Sequence, residues 1–203
     1  MTADSQTKNR FSIKLLAIAL IVIIAIAVTA TVEIYWRSSG PTKAETNITL
    51  PALKLTLIGA DGQQVVLNST EFAALKPYTG KGGFSENGES YAGNFTGIPV
   101  LTLLSQVGGI STGENATFTG SDGYSFTFTY GQIHGDEVNT FNPTTGAPEQ
   151  PTQPLTVMVA YYNNGTGLDP SIGPLRVAVV GPQGLYTNGF LWVYFLVRIQ
   201  VNP

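Results

Sequence analysis

The sequence predicts an α+β fold: one mixed, β-rich domain with few short helices, preceded by one N-terminal transmembrane helix. Three observations predict it. An uncharged apolar run lies near the N-terminus, the remainder is dominated by short alternating segments between Gly-, Asn- and Asp-rich turns, and only two or three stretches carry helical signals. The expected parts are a cytoplasmic tail at 1–14, an anchor at 15–36, a tether at 37–49 and a globular domain at 50–203.

The anchor is read from Leu15 to Val32, which contains no charge, proline or glycine. As a helix this run reaches roughly 27 Å, close to the thickness of a bilayer's hydrocarbon core. Lys8, Arg10 and Lys14 precede it, whereas Glu33, Tyr35 and Trp36 follow. Basic residues hold the N-terminus in the cytoplasm and aromatic residues suit the opposite headgroup layer, so the domain is expected outside the cytoplasm. A cleaved signal peptide is the competing reading, with Val28-Thr29-Ala30 as small residues near a cut. The length of the run and the aromatic residues beyond it favour a retained anchor.

Composition narrows the function classes. There is no cysteine, which excludes disulfides, thiolate metal sites and a cysteine nucleophile. Beyond residue 37, six Lys and Arg face eleven Asp and Glu, a balance that argues against nucleic acid as a partner. Five N-x-Thr sequons start at Asn47, Asn68, Asn94, Asn115 and Asn164, all after the anchor, and mark these residues as glycosylation candidates.

The elements follow in order. Residues 38–49 are small and polar and are broken by Pro41, as in a tether. Leu53–Ile58 and Gln64–Leu67 alternate around Ala60-Asp61-Gly62, a hairpin pattern. Asn68–Leu75 is a short helix with Ser69 or Thr70 as the expected cap. Residues 78–94 hold glycines at 80, 82, 83, 88 and 93 and read as a loop. Val100, Leu103, Leu104 and Val107 form an apolar helical stripe after Pro99 and before Gly108-Gly109. Ala116–Thr119 and Tyr124–Tyr130 are strands around a Gly-Ser-Asp-Gly turn, and 139–154 is a proline-rich exposed loop. Three last strands are expected at Leu155–Tyr162, Leu175–Val180 and Phe190–Val201, the latter two buried on both faces.

Four blocks in this order resemble one known family. Gly97-Ile-Pro-Val-Leu-Thr-Leu-Leu is similar to the G-V-P-L-x-x-L-L helix of the oxidoreductase molybdopterin-binding domain family, the sulfite oxidase type. Ser121-Asp122-Gly123-Tyr124 resembles its x-D-G-Y turn and Gly173-Pro174-Leu175-Arg176 its G-P-L-R strand. Leu191-Trp192-Val193 to Ile199 resembles its W-V-K-x-x-x-x-I ending. The resemblance covers residues 50–202 and implies that family's fold. Catalytic members hold molybdenum through a cysteine before the G-V-P-L block; here that stretch is Tyr78-Thr-Gly-Lys-Gly-Gly-Phe84, and Tyr194 replaces the lysine of the ending. The fold is therefore implied more strongly than the cofactor.

Candidate ligand-binding residues are Lys81 among glycines, Asp122 and Tyr124 of the turn, the lone His134 beside Asp136 and Glu137, and Arg176 within an apolar strand. Each has an ordinary structural reading as well: a flexible loop, a tight turn, a loop histidine, a buried pair. No residue set specifies a catalytic or metal site. The expected function is a membrane-anchored, non-catalytic module with a molybdopterin-binding-like fold that binds a ligand or an envelope protein and carries no cofactor. The alternatives are a molybdopterin-dependent oxidoreductase without a cysteine ligand, with a pocket between 78–94, Asp122–Tyr124 and Arg176, and a structural envelope glycoprotein.

Overall fold

The computed structural model describes residues 50, 52–86 and 89–203. The anchor, the tether and Asn47 lie outside the described residues. Among the described residues no helix is long and apolar enough to cross a membrane.

The first hairpin forms where the alternation places it. β1 (Lys54–Ile58) pairs antiparallel with β2 (Gln64–Asn68), and the Asp61 carboxylate accepts from the Gln63 N–H at 2.8 Å to close the turn. A short helix, α1 (Ser69–Ala73), follows, but its cap is Asn68 and not the expected Ser69 or Thr70. Asn68 Oδ1 accepts from the Thr70 and Glu71 N–H groups at 2.9 and 3.1 Å, while the Glu71 carboxylate accepts from the Asn68 N–H at 2.9 Å. This capping box satisfies three otherwise free donors. Ser69 Oγ instead accepts from the Leu53 N–H at 3.1 Å.

The expected loop at 78–94 is a long antiparallel hairpin: β3 (Tyr78–Glu86) against β4 (Glu89–Pro99). Its glycines serve close approach. A Cβ on Gly82 would overlap the Val179 carbonyl, and one on Gly97 would overlap the Val159 carbonyl of the neighbouring strand. Glycine thus lets adjacent backbones pack together where any side chain would push them apart.

β4 runs directly into α2 (Val100–Leu104) and a 3-10 turn at Ser105–Val107, ended by Gly108 at φ 90°. Val100, Leu103, Leu104 and Val107 are all buried, as their spacing predicts. β5 (Asn115–Gly120) and β6 (Ser125–Thr129) form the second expected hairpin, and α3 (Tyr130–Ile133) follows with Thr129 as its cap. Residues 139–154 form no strand or helix, although Phe141 and Tyr186 exchange two backbone hydrogen bonds of 2.8 and 2.9 Å.

β7 (Thr156–Asn163), β8 (Thr166–Gly167), β9 (Arg176–Val180), β10 (Tyr186–Asn188) and β11 (Leu196–Asn202) complete the fold. β9 is buried on both faces, as its continuous apolar pattern predicts. Phe190–Val201 is not one such strand. A 3-10 turn at Gly189–Leu191 and an irregular segment precede β11, which exposes Val197 and Arg198. Two sheets result. One has the order β2-β1-β11-β5-β6, with β1 and β11 parallel; the other runs β10-β3-β4-β7-β8, with β9 also paired to β7. A single apolar cluster, including Leu55, Phe72, Ile98, Phe118, Met158 and Ile199, fills the interior.

Two substitutions test these local arguments. Gly97→Ala should lower unfolding free energy by about 2 kcal/mol or more through overpacking, whereas Asn68→Ala should cost about 1 kcal/mol through the lost cap. Urea denaturation of both variants reads the two values; a Gly97→Ala variant as stable as the parent would refute the close-approach account.

Candidate functional site

Arg176 opens β9, a strand with no exposed position, and only 4% of its surface is accessible. A guanidinium this deep needs compensation. Four rings supply it: the guanidinium carbon lies 4.5 Å from the centre of Tyr194, 4.8 Å from Trp192, and 5.5 Å from both Phe84 and Phe95. Each is within cation–π range. Phe84 and Phe95 come from the glycine-rich hairpin, and Trp192 and Tyr194 from the segment before β11. The Trp192 indole N–H donates to Thr187 Oγ1 at 2.8 Å, which holds that ring in place.

The box does not complete the arginine's hydrogen bonding. Nε and Nη2 are buried and take no hydrogen-bond partner, and no carboxylate pairs with the guanidinium among the described residues. Burial pulls its pKa down to about 10, against the favourable influence of Tyr194. Burial raises the Tyr194 phenol; Arg176 lowers it, and Glu86 and Tyr91 raise it further.

Tyr194 stands between two cavities. One, of about 450 Å³, is lined by Glu86, Asp122, Tyr124, Phe190, Trp192 and Tyr194 among others. The second, of about 350 Å³, lies on the Arg176 side and is lined by Tyr91, Phe95, Asn163, Asp169, Arg176 and Tyr194 among others. The position of Tyr194 is enforced by its neighbour. Phe195 has φ 49°, a left-handed conformation unusual for a bulky residue. It is held there because its N–H donates to the Ile172 carbonyl at 3.0 Å and its carbonyl accepts from Ser121 at 2.9 Å. Such strain persists only where the surroundings over-determine it.

The first cavity is acidic. Asp122 Oδ1 accepts from the Tyr124 N–H at 3.0 Å, and the Tyr124 hydroxyl donates to the Phe190 carbonyl at 2.9 Å. Burial raises the Tyr124 phenol, and Glu86 adds to this. No lysine or arginine lines this cavity. In the second, Asp169 accepts from the Ser171 N–H at 2.8 Å, which keeps the exposed carboxyl below its usual range. Asn163 Oδ1 is buried without a partner in the space that a side chain at Gly93 would occupy.

The residues singled out in the sequence are therefore dispersed. Asp122 and Tyr124 line the acidic cavity, and Arg176 lines its neighbour. Lys81 is exposed on β3 beside a separate hollow near Asn94 and Asn164. His134 follows α3, stacked on Tyr130 at 4.0 Å with Nδ1 2.9 Å from the Tyr130 carbonyl, and lines none of these cavities. Of the sequon asparagines, Asn68 is an exposed cap and Asn115 is tied to Asn202 at 2.8 Å. Asn164, at φ 51°, accepts from the Asn94 N–H at 3.0 Å. Sequence reasoning missed Glu86, Tyr91, Asp169, Trp192 and Tyr194 as wall residues. The one signal available was the charge of Arg176 in an apolar strand, which demanded neighbours of some kind. Among the described residues no three His, Cys, Asp or Glu side chains converge to hold a metal.

Comparison with known proteins bears on the scaffold. No protein-family model matches the sequence, and no curated protein does. Among solved structures, the sulfane dehydrogenase SoxCD from Paracoccus pantotrophus matches with a TM-score of 0.53 at 17% identity. The likeness is one of fold. It covers 74% of this chain and 38% of that one, and it agrees with the fold implied by the sulfite oxidase-type motifs.

Molybdopterin, the group that the fold type implies, can be tested against the walls. Its phosphate is anionic, and the cavity at Asp122–Tyr124 offers it two carboxylates and no cation. Among the described residues, Arg176 is the one arginine lining either cavity, and it is enclosed by the aromatic box; the chain has no thiolate for the metal. The residues lining these cavities do not fit such a cofactor.

A pH prediction follows from the depressed Arg176 pKa. Because burial holds the folded value at about 10, below the ordinary arginine value, the native state releases this proton first, and the stability contributed by this group rises as pH climbs above about 10. Below that window, the buried charge is a net burden. Arg176→Met should leave the neutral-pH stability unchanged or raise it by up to about 2 kcal/mol, and the advantage should shrink above about pH 10. Thermal unfolding across this range decides; a loss of several kcal/mol at neutral pH would show that the rings more than compensate.

Proposed function

We propose that this protein is a non-catalytic binding module on a molybdopterin-type scaffold, displayed outside the cytoplasm by its N-terminal anchor. The observation that carries the reading is the chemistry of the cleft: acidic and aromatic walls, a guanidinium enclosed by four rings, and no thiolate. Scaffolds are reused for unrelated tasks, so the site and not the fold must decide the function. Here two adjoining cavities that share Tyr194 offer a small molecule burial, ring faces and a few polar groups, as ligand sites do. The apolar run at Leu15–Val32 and its flanks support the membrane placement, with an envelope protein as a further partner.

The fold likeness favours a second reading, a molybdopterin-dependent oxidoreductase whose metal lacks a protein thiolate. Metal and pterin analysis of the full-length protein purified from its source membranes separates the two. The binding module contains neither. Molybdenum or tungsten with a pterin near one per chain would establish the oxidoreductase instead.

A further inference from the structure

We propose that the larger cavity, between Glu86, Asp122, Tyr124 and Phe190, binds a small organic cation of the methylated ammonium kind, its methyl groups on the ring faces and its charge answered by the two carboxylates. The inference rests on the ligand-binding reading above and names its ligand class.

The sign of the ligand follows from the walls. Glu86 and Asp122 both line this space of about 450 Å³, and no lysine or arginine does. Among the described residues neither carboxylate forms an ion pair. Asp122 is fixed in its turn, because Oδ1 accepts from the Tyr124 N–H at 3.0 Å. Glu86 acts across the space. Burial raises the Tyr124 and Tyr194 phenols, Arg176 lowers the second, and Glu86 raises both. The two rings come from different segments of the chain, so the Glu86 charge is felt on each of these walls.

The rings decide the kind of cation. Tyr124 is 43% exposed and Phe190 50%, so each offers ring surface that the fold leaves uncovered. Both are held in place: the Tyr124 hydroxyl donates to the Phe190 carbonyl at 2.9 Å, and the Phe190 ring packs on Phe126 at 5.2 Å. Trp192 and Tyr194 complete the wall but already face Arg176, at 4.8 and 4.5 Å, which reduces what they can offer a second cation. A ring face attracts a cation without accepting a conventional hydrogen bond, which suits N-methyl groups that donate none. A primary ammonium, more strongly hydrated, would leave donors unmet there. A phosphate or carboxylate on the same ligand would meet two like charges, which disfavours phosphocholine and betaines. At about 450 Å³ the space lies toward the small end of ligand pockets and suits a molecule of choline's size.

Isothermal titration of the full-length protein at one ionic strength tests the assignment, with choline, its uncharged carbon isostere dimethylbutanol, methylammonium and phosphocholine as probes. Choline should bind saturably, and the other three roughly fivefold more weakly or not measurably. Phosphocholine also separates a lipid headgroup from a free cation. Glu86→Gln should weaken choline roughly threefold and leave dimethylbutanol unchanged, since only the charge is lost. Phe190→Leu, an exposed change whose folding circular dichroism checks, should weaken choline roughly fivefold. Any of the three other probes binding as tightly as choline would overturn the proposal. So would choline binding that either folded variant leaves intact, or no saturable binding at all. Pterin in the same preparation would remove the binding-module reading and this proposal with it, whereas its absence together with silent titrations would remove only the organic cation.

Discussion

The guanidinium of Arg176 sets the terms for everything packed around it. A cation moved out of water costs several kcal/mol unless its surroundings answer it, and this chain answers with aromatic rings instead of a carboxylate. That choice has consequences for distant parts of the chain. The rings must come from different segments to surround the cation, and each segment needs a reason to approach. Phe84 and Phe95 sit on neighbouring strands of one hairpin, Trp192 is anchored by Thr187, and Tyr194 is aimed by the left-handed Phe195 beside it. The box therefore connects the glycine-rich hairpin, β9 and the irregular segment before β11.

The hairpin can make this approach only because it is glycine-rich. At Gly82 and Gly97 the adjacent backbones occupy the volume a Cβ would need. In a sheet such positions lose side-chain packing and gain proximity, here between β4 and its partner β7 and between β3 and β9. Phe84 and Phe95 then reach the guanidinium of Arg176, whose strand stays buried on both faces. Composition, close approach and the ring box form one causal sequence.

This explains which parts of the molecule were legible in the sequence. Alternation at Leu53–Leu67 and Ala116–Tyr130 and the stripe from Val100 to Val107 report burial by one face, a local property that periodicity captures. Glycine in β3 and β4 was misread as loop because the same residue serves freedom and closeness, and only the neighbouring strand tells them apart. Phe190–Val201 was misread for a related reason: Trp192, Val193 and Leu196 are all buried, but a 3-10 turn and Phe195 interrupt the strand that their apolar run suggests. Arg176 was visible as an anomaly, a charge in an apolar strand. Its partners were not, because aromatic residues announce a core long before they announce a cation site, and Asp169 reached the second cavity only through the chain's path in space.

The fold and the cleft then carry different information. A likeness at 17% identity over part of a larger chain testifies to backbone architecture, which depends on core volume and pairing and tolerates almost complete replacement of surface chemistry. The cavity walls have no such tolerance, since a ligand's charge must be answered locally. Glu86 and Asp122 beside one cavity, and Arg176 and Asp169 beside the other, form a pattern of mixed sign on the two sides of Tyr194. An anionic pterin would need that pattern to be positive throughout. The walls here are acidic and aromatic, and the one buried cation among the described residues is already enclosed by rings, so the chemistry of the cleft, and not the likeness of fold, limits what it can hold.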